Sequence, residues 1–325
     1  MGNTLIDTLS SIERAGGKSE AIRDVRPIEL NGELDAGLDL SGVAVAGDFL
    51  ILGGDLGHRL QILRRKPEGG WSLQQVLILA EQDQDTDIES IAVGPDCLYV
   101  VGSHCHRRRR MRPELSVRKN RQRLYEIVSE PSRNRLYRLP FDSETGECGK
   151  AVHIDLSKRL RKDPLLGPFL GIPRRENGLD IQGMGFHDNR LYLGFRGPVL
   201  REKYVPLMVF EFDRPKKYEL CFVRLGGQGI RDMVPLRNGF LILSGPVMGA
   251  TEPFCLWCWD GADQLPGKGR DVREAVMLGT VSTPGGAKAE GLGLLRETDG
   301  VAEAVVVYET NTAAQTVSMR VTLPD

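Results

Sequence analysis

The stretch Asn177-Gly-Leu-Asp-Ile-Gln-Gly-Met-Gly-Phe-His187, continued by Asp188-Asn-Arg-Leu-Tyr-Leu-Gly-Phe-Arg-Gly-Pro198, decides the fold. It runs from an acidic start through an apolar strand, a tight polar turn and a second apolar strand to a Gly-Pro exit. Short apolar runs bounded by Gly, Asn, Asp and Pro read as β-strands joined by tight turns. Four other segments repeat the pattern: Asp39-Leu-Ser-Gly-Val-Ala-Val45, Asp87-Ile-Glu-Ser-Ile-Ala-Val93, Gly229-Ile-Arg-Asp-Met-Val-Pro235 and Lys288-Ala-Glu-Gly-Leu-Gly-Leu294. Their third residues, Ser41, Glu89, Gln182, Arg231 and Glu290, are 48, 93, 49 and 59 residues apart. A propeller blade takes roughly 40–50 residues, so three of the four spacings are about one blade long.

Strand counting resolves the long gap. Second and third strands follow each copy, at 49–53 and 60–64, 98–102 and 136–141, 191–195 and 207–212, 240–244 and 254–259, and 305–308 and 317–323. A fourth follows at 73–79, 152–156, 219–225 and 274–281. Only one further strand pair lies between Gly102 and Asp180, so that gap is one blade carrying two insertions, residues 104–134 and 157–178. The expectation is an all-β, five-bladed propeller over residues 21–325, preceded by an N-terminal arm at 1–20 that is helical or frayed. The fifth copy lacks its fourth strand. Residues 21–30 supply it beside 317–323, closing the ring and removing the open edges that β architectures avoid. Pro27 is tolerable on such an outermost strand. A two-sheet β-sandwich is the competing architecture.

Bulk properties fit a soluble globular chain. Hydrophobic residues make up 41% and charged residues 27%, and 38 glycines suit many tight turns. A formal net charge of −1 argues against a general nucleic-acid coat. The N-terminus has no basic n-region and no long apolar run, and no window is apolar enough to span a bilayer. Six scattered cysteines in a chain without an export signal read as reduced, buried thiols. The expected location is cytoplasmic.

In a propeller the first strand of each blade lines the axis. The fourth-to-first and second-to-third connections then share one face, and here that face carries the long loops. Asp39, Asp87 and Asp180 start three inner strands, with Ser41, Glu89, Gln182, Arg231 and Glu290 one step deeper. Side chains two apart on a strand share a side, so Asp39 with Ser41, Asp87 with Glu89 and Asp180 with Gln182 are expected as stacked axial pairs. Oxygen ligands converging on a channel suit a hard cation, Ca²⁺ before Mg²⁺, held by Glu89, Asp180, Gln182 and Glu290. The alternative is structural: Arg231 and backbone N–H groups satisfy the same acids by ion pairs and hydrogen bonds.

The first insertion is strongly basic: Ser103-His-Cys-His-Arg-Arg-Arg-Arg-Met-Arg112, then Leu115-Ser-Val-Arg-Lys-Asn-Arg-Gln-Arg-Leu-Tyr-Glu-Ile-Val128. Leu115, Leu124, Ile127 and Val128 have helical spacing. With this run, Arg109 included, Arg174, Arg175, Arg196 and Arg201 form an expected basic rim over the acidic throat, with Arg231 at the axis below. Guanidinium forks recognise carboxylates and phosphates, so an anionic ligand follows, as does a solvated helix or a protein-partner surface. Aromatic residues are nearly absent from the run, which argues against RNA. His104, Cys105 and His106 lack further ligands spaced for a transition metal. Cys255 and Cys258 lie in a strand and point to opposite faces, and Gly226-Gly-Gln-Gly229 precedes a strand, not the helix that a phosphate loop needs. No Gly-x-Ser-x-Gly elbow is present.

Several strings together resemble one family: Asp87-Ile-Glu-Ser90, Val101-Gly-Ser-His104, Asn177-Gly-Leu-Asp-Ile-Gln-Gly183, Phe195-Arg-Gly-Pro198, Gly226-Gly-Gln-Gly-Ile-Arg-Asp232 and Ala289-Glu-Gly291. The chain is similar over about residues 35–295 to the bacterial proteins grouped as domain of unknown function 3616. That resemblance implies kinship with phytase-like and esterase-like propellers but brings no activity. The family pattern has Glu where Gln182 stands and Gly where Ser90 stands, so this chain carries one axial charge fewer. Two functions are therefore expected in competition. The first is a metal-dependent hydrolase of an anionic phosphoester, with Glu89, Glu290 and His104 as catalytic groups and Arg196 and Arg231 holding the anion. The second is a non-catalytic propeller that binds a protein or nucleotide through the Arg-rich insertion.

Overall fold

The computed structural model describes residues 21–32, 34, 39–54, 58–80, 86–248, 252–309 and 315–324. The N-terminal arm expected at 1–20 lies outside the described residues. Five antiparallel blades form the body among the described residues. Blade 1 is Leu40–Ala46, Phe49–Gly54, Arg59–Arg65 and Trp71–Ile78, and blade 2 is Ile88–Val93, Cys97–Gly102, Arg135–Pro140 and Val152–Asp155. Blade 3 is Asp180–His187, Arg190–Gly197, Tyr204–Phe210 and Tyr218–Arg224. Blade 4 is Gly229–Leu236, Gly239–Gly245, Phe254–Trp259 and Val276–Val281. Blade 5 takes Lys288–Thr298, Val301–Glu309 and Gln315–Thr322, and its outer strand is Ile22–Pro27 from the other end of the chain. That strand pairs antiparallel with Gln315–Thr322 through Ile22 opposite Val321 and Pro27 opposite Val317.

Residues 21–30 do not stay one strand. After Pro27 the chain leaves blade 5, and Leu30–Asn31 adds a parallel edge to Trp71–Ile78 of blade 1. The Ile28 N–H still donates to the Thr316 carbonyl at 2.8 Å, so the last bond to blade 5 falls one residue beyond Pro27. One segment thereby ties the last blade to the first.

Each blade packs on its neighbours through both faces, so some of its middle strands are buried from end to end. Phe49–Gly54 and Tyr204–Phe210 are buried at every position, whereas outer Trp71–Ile78 returns to alternation. Five apolar clusters fill the five junctions. Val43, Leu50 and Leu52 meet Val305 and Val307 where blade 1 closes on blade 5. Tyr192 and Leu207 meet Phe240 and Trp259 between blades 3 and 4.

The insertions sit on one face, as expected. The first is not helical throughout. Its helix covers Val117–Tyr125, but Ile127–Ser129 is a strand paired with His106–Arg108. Ile127 and Val128 therefore belong to a β-ribbon rather than to the helix, their β-branched side chains favouring the extended form. The helix buries none of its residues. The second insertion packs Leu160, Leu166 and Leu170 into the junction of blades 2 and 3. Asp163 fixes it there, accepting from the N–H groups of Leu165 and Leu166 at 2.9 and 2.8 Å and from the Tyr218 hydroxyl at 2.6 Å. Among the described residues no helix is long and apolar enough to cross a membrane.

Candidate functional site

All five inner strands break register at the same place. Pairing skips Ser41, Glu89, Gln182, Arg231 and Glu290, so each is the extra residue of a β-bulge. A bulge re-aims the side chain it carries and interrupts strict alternation. Five bulges in register around a propeller direct five polar side chains to the axis.

All of these but Ser41 join into one hydrogen-bonded arc. Arg174 Nη1 donates to Glu89 Oε1 at 3.3 Å, and Gln182 Nε2 donates to Glu89 Oε2 at 3.1 Å. The Gln182 carbonyl accepts from Arg231 Nη1 at 3.0 Å. The same nitrogen reaches both Glu290 oxygens, at 2.9 and 2.6 Å. Arg231 Nη2 also donates to the Pro246 carbonyl at 3.0 Å, and its guanidinium lies 5.4 Å from the Phe254 ring centre. Ser41 stands outside this chain of contacts and donates to the Ile88 carbonyl. Burial lowers the Arg231 pKa from its ordinary value, opposed by the Glu290 carboxylate.

Below the arc Asp232 forms a buried knot. It accepts from Ser90 Oγ at 2.7 Å and from the N–H groups of Met233 and Leu292, both at 2.8 Å, linking blades 2, 4 and 5. Burial raises its pKa well above the carboxylate range. The far end of the channel is apolar, closed around a pocket of about 150 Å³ by side chains such as Val45, Val93, Met184 and Leu294. Polar chemistry is confined to one mouth.

That mouth is a cavity of about 590 Å³. Its wall includes Glu89, Gln182, Glu290, Arg174, Arg175, Arg196 and Arg231, so the fold brings together most of the expected site. Lys288 and Glu309, paired with each other, and Asp39 complete the opposite side. Burial, then the Glu309 charge, raises the Asp39 pKa, and Lys288 opposes them. Arg174 is held protonated: burial opposes its charge, but Asp87, Asp180 and Glu89 outweigh it.

Three expected positions fall elsewhere. Asp180 is 0% exposed and off the cavity wall, with Arg196 Nη2 2.6 Å from its Oδ2. His104 is off the wall too, buried in a left-handed turn at φ 53°, with Nδ1 2.8 Å from the Gly102 carbonyl. Burial lowers its pKa to about 4, so it is neutral near pH 7 and away from the anion site. Arg109 lies in the neighbouring groove, bound to Glu126 at 2.8 Å. Of the expected axial pairs, Asp39 and Ser41 both stand on the cavity wall, whereas Asp87 is off it, although Arg174 Nη1 lies 3.6 Å from Asp87 Oδ2 and 3.3 Å from Glu89 Oε1. At φ 49° Asp87 directs its carboxylate to Arg133 at 2.7 Å and to Ser103. Arg133, buried beside Asp87 and Glu130, carries no sequence signal, being one more arginine just beyond the basic run.

The remaining carboxylates do not fit a hard cation. Glu89, Asp180 and Glu290 each face a guanidinium, and among the described residues no three Asp, Glu, His or Cys side chains converge as a metal site. Arg175 behaves differently. It makes no hydrogen bond or ion pair with a described residue, yet it stands on the cavity wall. Burial and then the charges of Arg110, Arg174 and Arg196 lower its pKa, with only Glu309 opposing. Arg196 is 7% exposed and its Nε has no hydrogen-bond partner among the described residues.

Local backbone geometry holds Arg196 in place. Asn177, left-handed at φ 64°, accepts from the Val199 N–H at 2.8 Å and donates to the Val199 carbonyl at 3.1 Å. Gly229 lies against the Arg196 carbonyl, where a Cβ would come within 1.9 Å. Only glycine permits that approach.

No curated protein matches the sequence. Matching solved structures include a hypothetical protein from Leishmania major, 10% identical at TM-score 0.44, covering 98% of this chain and 94% of that one. A luciferin-regenerating enzyme is 8% identical at TM-score 0.42, with 92% of this chain and 95% of that one covered. Hydrazine synthase of Kuenenia stuttgartiensis is 12% identical at TM-score 0.38, covering 86% and 66%. By sequence, the chain belongs to the family described as "Protein of unknown function (DUF3616)", which it matches over residues 39–325.

Proposed function

We propose that this propeller binds a small anionic molecule in the axial cavity, with Arg175 and Arg196 as the principal contacts and Arg174 beside them. The observation that carries the reading is Arg175, a guanidinium without an acidic partner among the described residues, placed among three other arginines. Assembling like charges opposes folding unless something compensates them, and a bound anion does. The other cations of the wall face acids, Arg231 with Glu290, Lys288 with Glu309, Arg174 with Glu89 and Arg196 with Asp180, though Arg196 keeps an Nε without a partner among the described residues. The arc therefore forms a charge-balanced floor on the same cavity wall as the free guanidinium. Hydrolysis through a cation on Glu89, Asp180 and Glu290 is not the reading the geometry favours, since each acid already faces arginine.

Calorimetric titration of the full chain with inorganic phosphate tests this. A charge-assisted hydrogen bond contributes roughly 1.5–3 kcal/mol, so Arg175→Ala should weaken binding about 10- to 100-fold while leaving the melting temperature nearly unchanged. Equal phosphate affinity in the two proteins would refute the reading. A rise in wild-type melting temperature with Ca²⁺, lost in Glu89→Ala and Glu290→Ala, would restore the metal-dependent alternative.

A further inference from the structure

We infer that the ligand carries a chain of two or three linked phosphoryl groups, the first seated in the axial cavity and the next along a trough formed by the basic insertion. This rests on reading the axial cavity as an anion site. The trough encloses about 1050 Å³, and Arg174 and Arg175 wall both it and the cavity, so the two spaces adjoin at these two residues.

Not every arginine of the trough is available. Arg107 pairs with Glu130 at 2.5 Å, Arg108 with Glu176 at 2.5 Å and Arg109 with Glu126 at 2.8 Å. The guanidinium groups of Arg110 and Arg112, on the same wall, have no acidic partner among the described residues. The loop carrying them is held in shape. Asn120 brackets Arg112, accepting from its N–H at 2.9 Å and donating to its carbonyl at 2.8 Å. Arg123 Nε donates to the Arg110 carbonyl at 2.5 Å. An isolated bridge between His106 and Pro173 and the Arg108–Glu176 pair dock this insertion onto the one carrying Arg174 and Arg175. Some side chains thus fix the backbone, and two guanidinium groups on the trough wall are left without an acidic partner among the described residues.

A single small anion beside Arg175 and Arg196 would leave Arg110 and Arg112 uncompensated. A linear phosphate chain places successive charges within a few ångströms of one another and compensates both sets. The trough wall has Met111, Leu124, Val128 and Pro173 but no aromatic ring, so it offers no stacking platform for bases and does not suit a nucleic-acid strand.

The test is calorimetric titration of the full chain with orthophosphate, pyrophosphate and tripolyphosphate at fixed ionic strength, with succinate as a dicarboxylate control. Affinity should rise at least tenfold from orthophosphate to tripolyphosphate and exceed that for succinate. The double variant Arg110→Ala with Arg112→Ala should remove that gain while orthophosphate binding stays unchanged, whereas Arg175→Ala should weaken all three phosphates. Arg110→Lys with Arg112→Lys should keep part of the gain. Equal affinity along the series, or a double variant that retains the gain, would overturn the inference while leaving the cavity reading intact. Succinate binding as tightly as tripolyphosphate would also overturn it. Loss of all binding by wild type would instead remove the cavity reading itself. Tight binding of a short RNA oligonucleotide, unaffected by Arg175→Ala, would overturn the inference by making the trough a nucleic-acid surface.

Discussion

Gln182 is the residue on which the choice between a cation site and a closed polar arc turns. An amide both donates and accepts, so it relays between the Glu89 carboxylate and the Arg231 guanidinium. A glutamate could not donate to Glu89. Gln182→Glu should set two carboxylates face to face and cost on the order of 2 kcal/mol, read as a lower melting temperature at pH 7.5. Ca²⁺ should restore much of that loss in the variant and do little for the wild type, because only the variant gains an unpaired oxygen ligand. An equal Ca²⁺ effect on both proteins would contradict the arc. His104 gives a second residue-level test. Its folded pKa of about 4 lies below the ordinary 6.5, so the unfolded chain takes up the proton first as pH falls. Stability should therefore decline by roughly 3 kcal/mol between pH 6.5 and 4 and level off below. Asn tolerates the left-handed backbone and can donate to the Gly102 carbonyl, so His104→Asn should remove this part of the acid sensitivity and leave phosphate binding at pH 7.5 unaltered. A large loss of binding in that variant would return His104 to the site.

At the scale of elements, the strands were legible because each blade repeats a run of apolar residues between turn residues. The bulges were only half legible. Ser41, Glu89, Gln182, Arg231 and Glu290 stand out as polar third residues, but strict alternation then predicts that Asp87 and Asp180 share their side. The extra residue in each ladder breaks that inference, and Asp87 and Asp180 turn to Arg133 and Arg196 instead. Ion pairing across insertions was not legible either, since no local spacing says that Glu126 takes Arg109 and leaves Arg110 free. The ribbon closes on itself where the Arg109 N–H donates to the Glu126 carbonyl at 3.2 Å, and the helix beyond buries nothing. Replacing residues 110–125 by a short Gly-Ser turn should leave the melting temperature within a few degrees of the parent. The same change should cut tripolyphosphate affinity towards that of orthophosphate. A collapse in stability would show that the insertion braces the propeller instead.

For the whole molecule, closure is the structural decision with the largest consequence. Every blade relies on two neighbours, and the ring is sealed by one short strand, Ile22–Pro27, on Gln315–Thr322. Ala21, Ile22 and Val25 pack against the cluster that holds blades 4 and 5 together, and Leu30–Asn31 then ties onto blade 1. The axial cavity depends on that seal, because Glu290 of blade 5 and Ser41 of blade 1 both stand on its wall. Deleting residues 1–31 should strip the outer edge of blade 5, exposing Val317, Met319 and Val321 beside an unpaired ladder. Losing this pairing should cost several kcal/mol, and a large domain shifts by about 2–4 °C per kcal/mol, so a fall of about 10 °C is expected. The open edge should also recruit other chains, seen as concentration-dependent early elution in size exclusion relative to the full chain. Phosphate affinity should fall with it, since a displaced Glu290 leaves Arg231 held by Gln182 and Pro246 alone and disturbs the cavity floor. A truncated chain that melts, elutes and binds phosphate as the full chain does would mean that the propeller is held by its inter-blade cores alone.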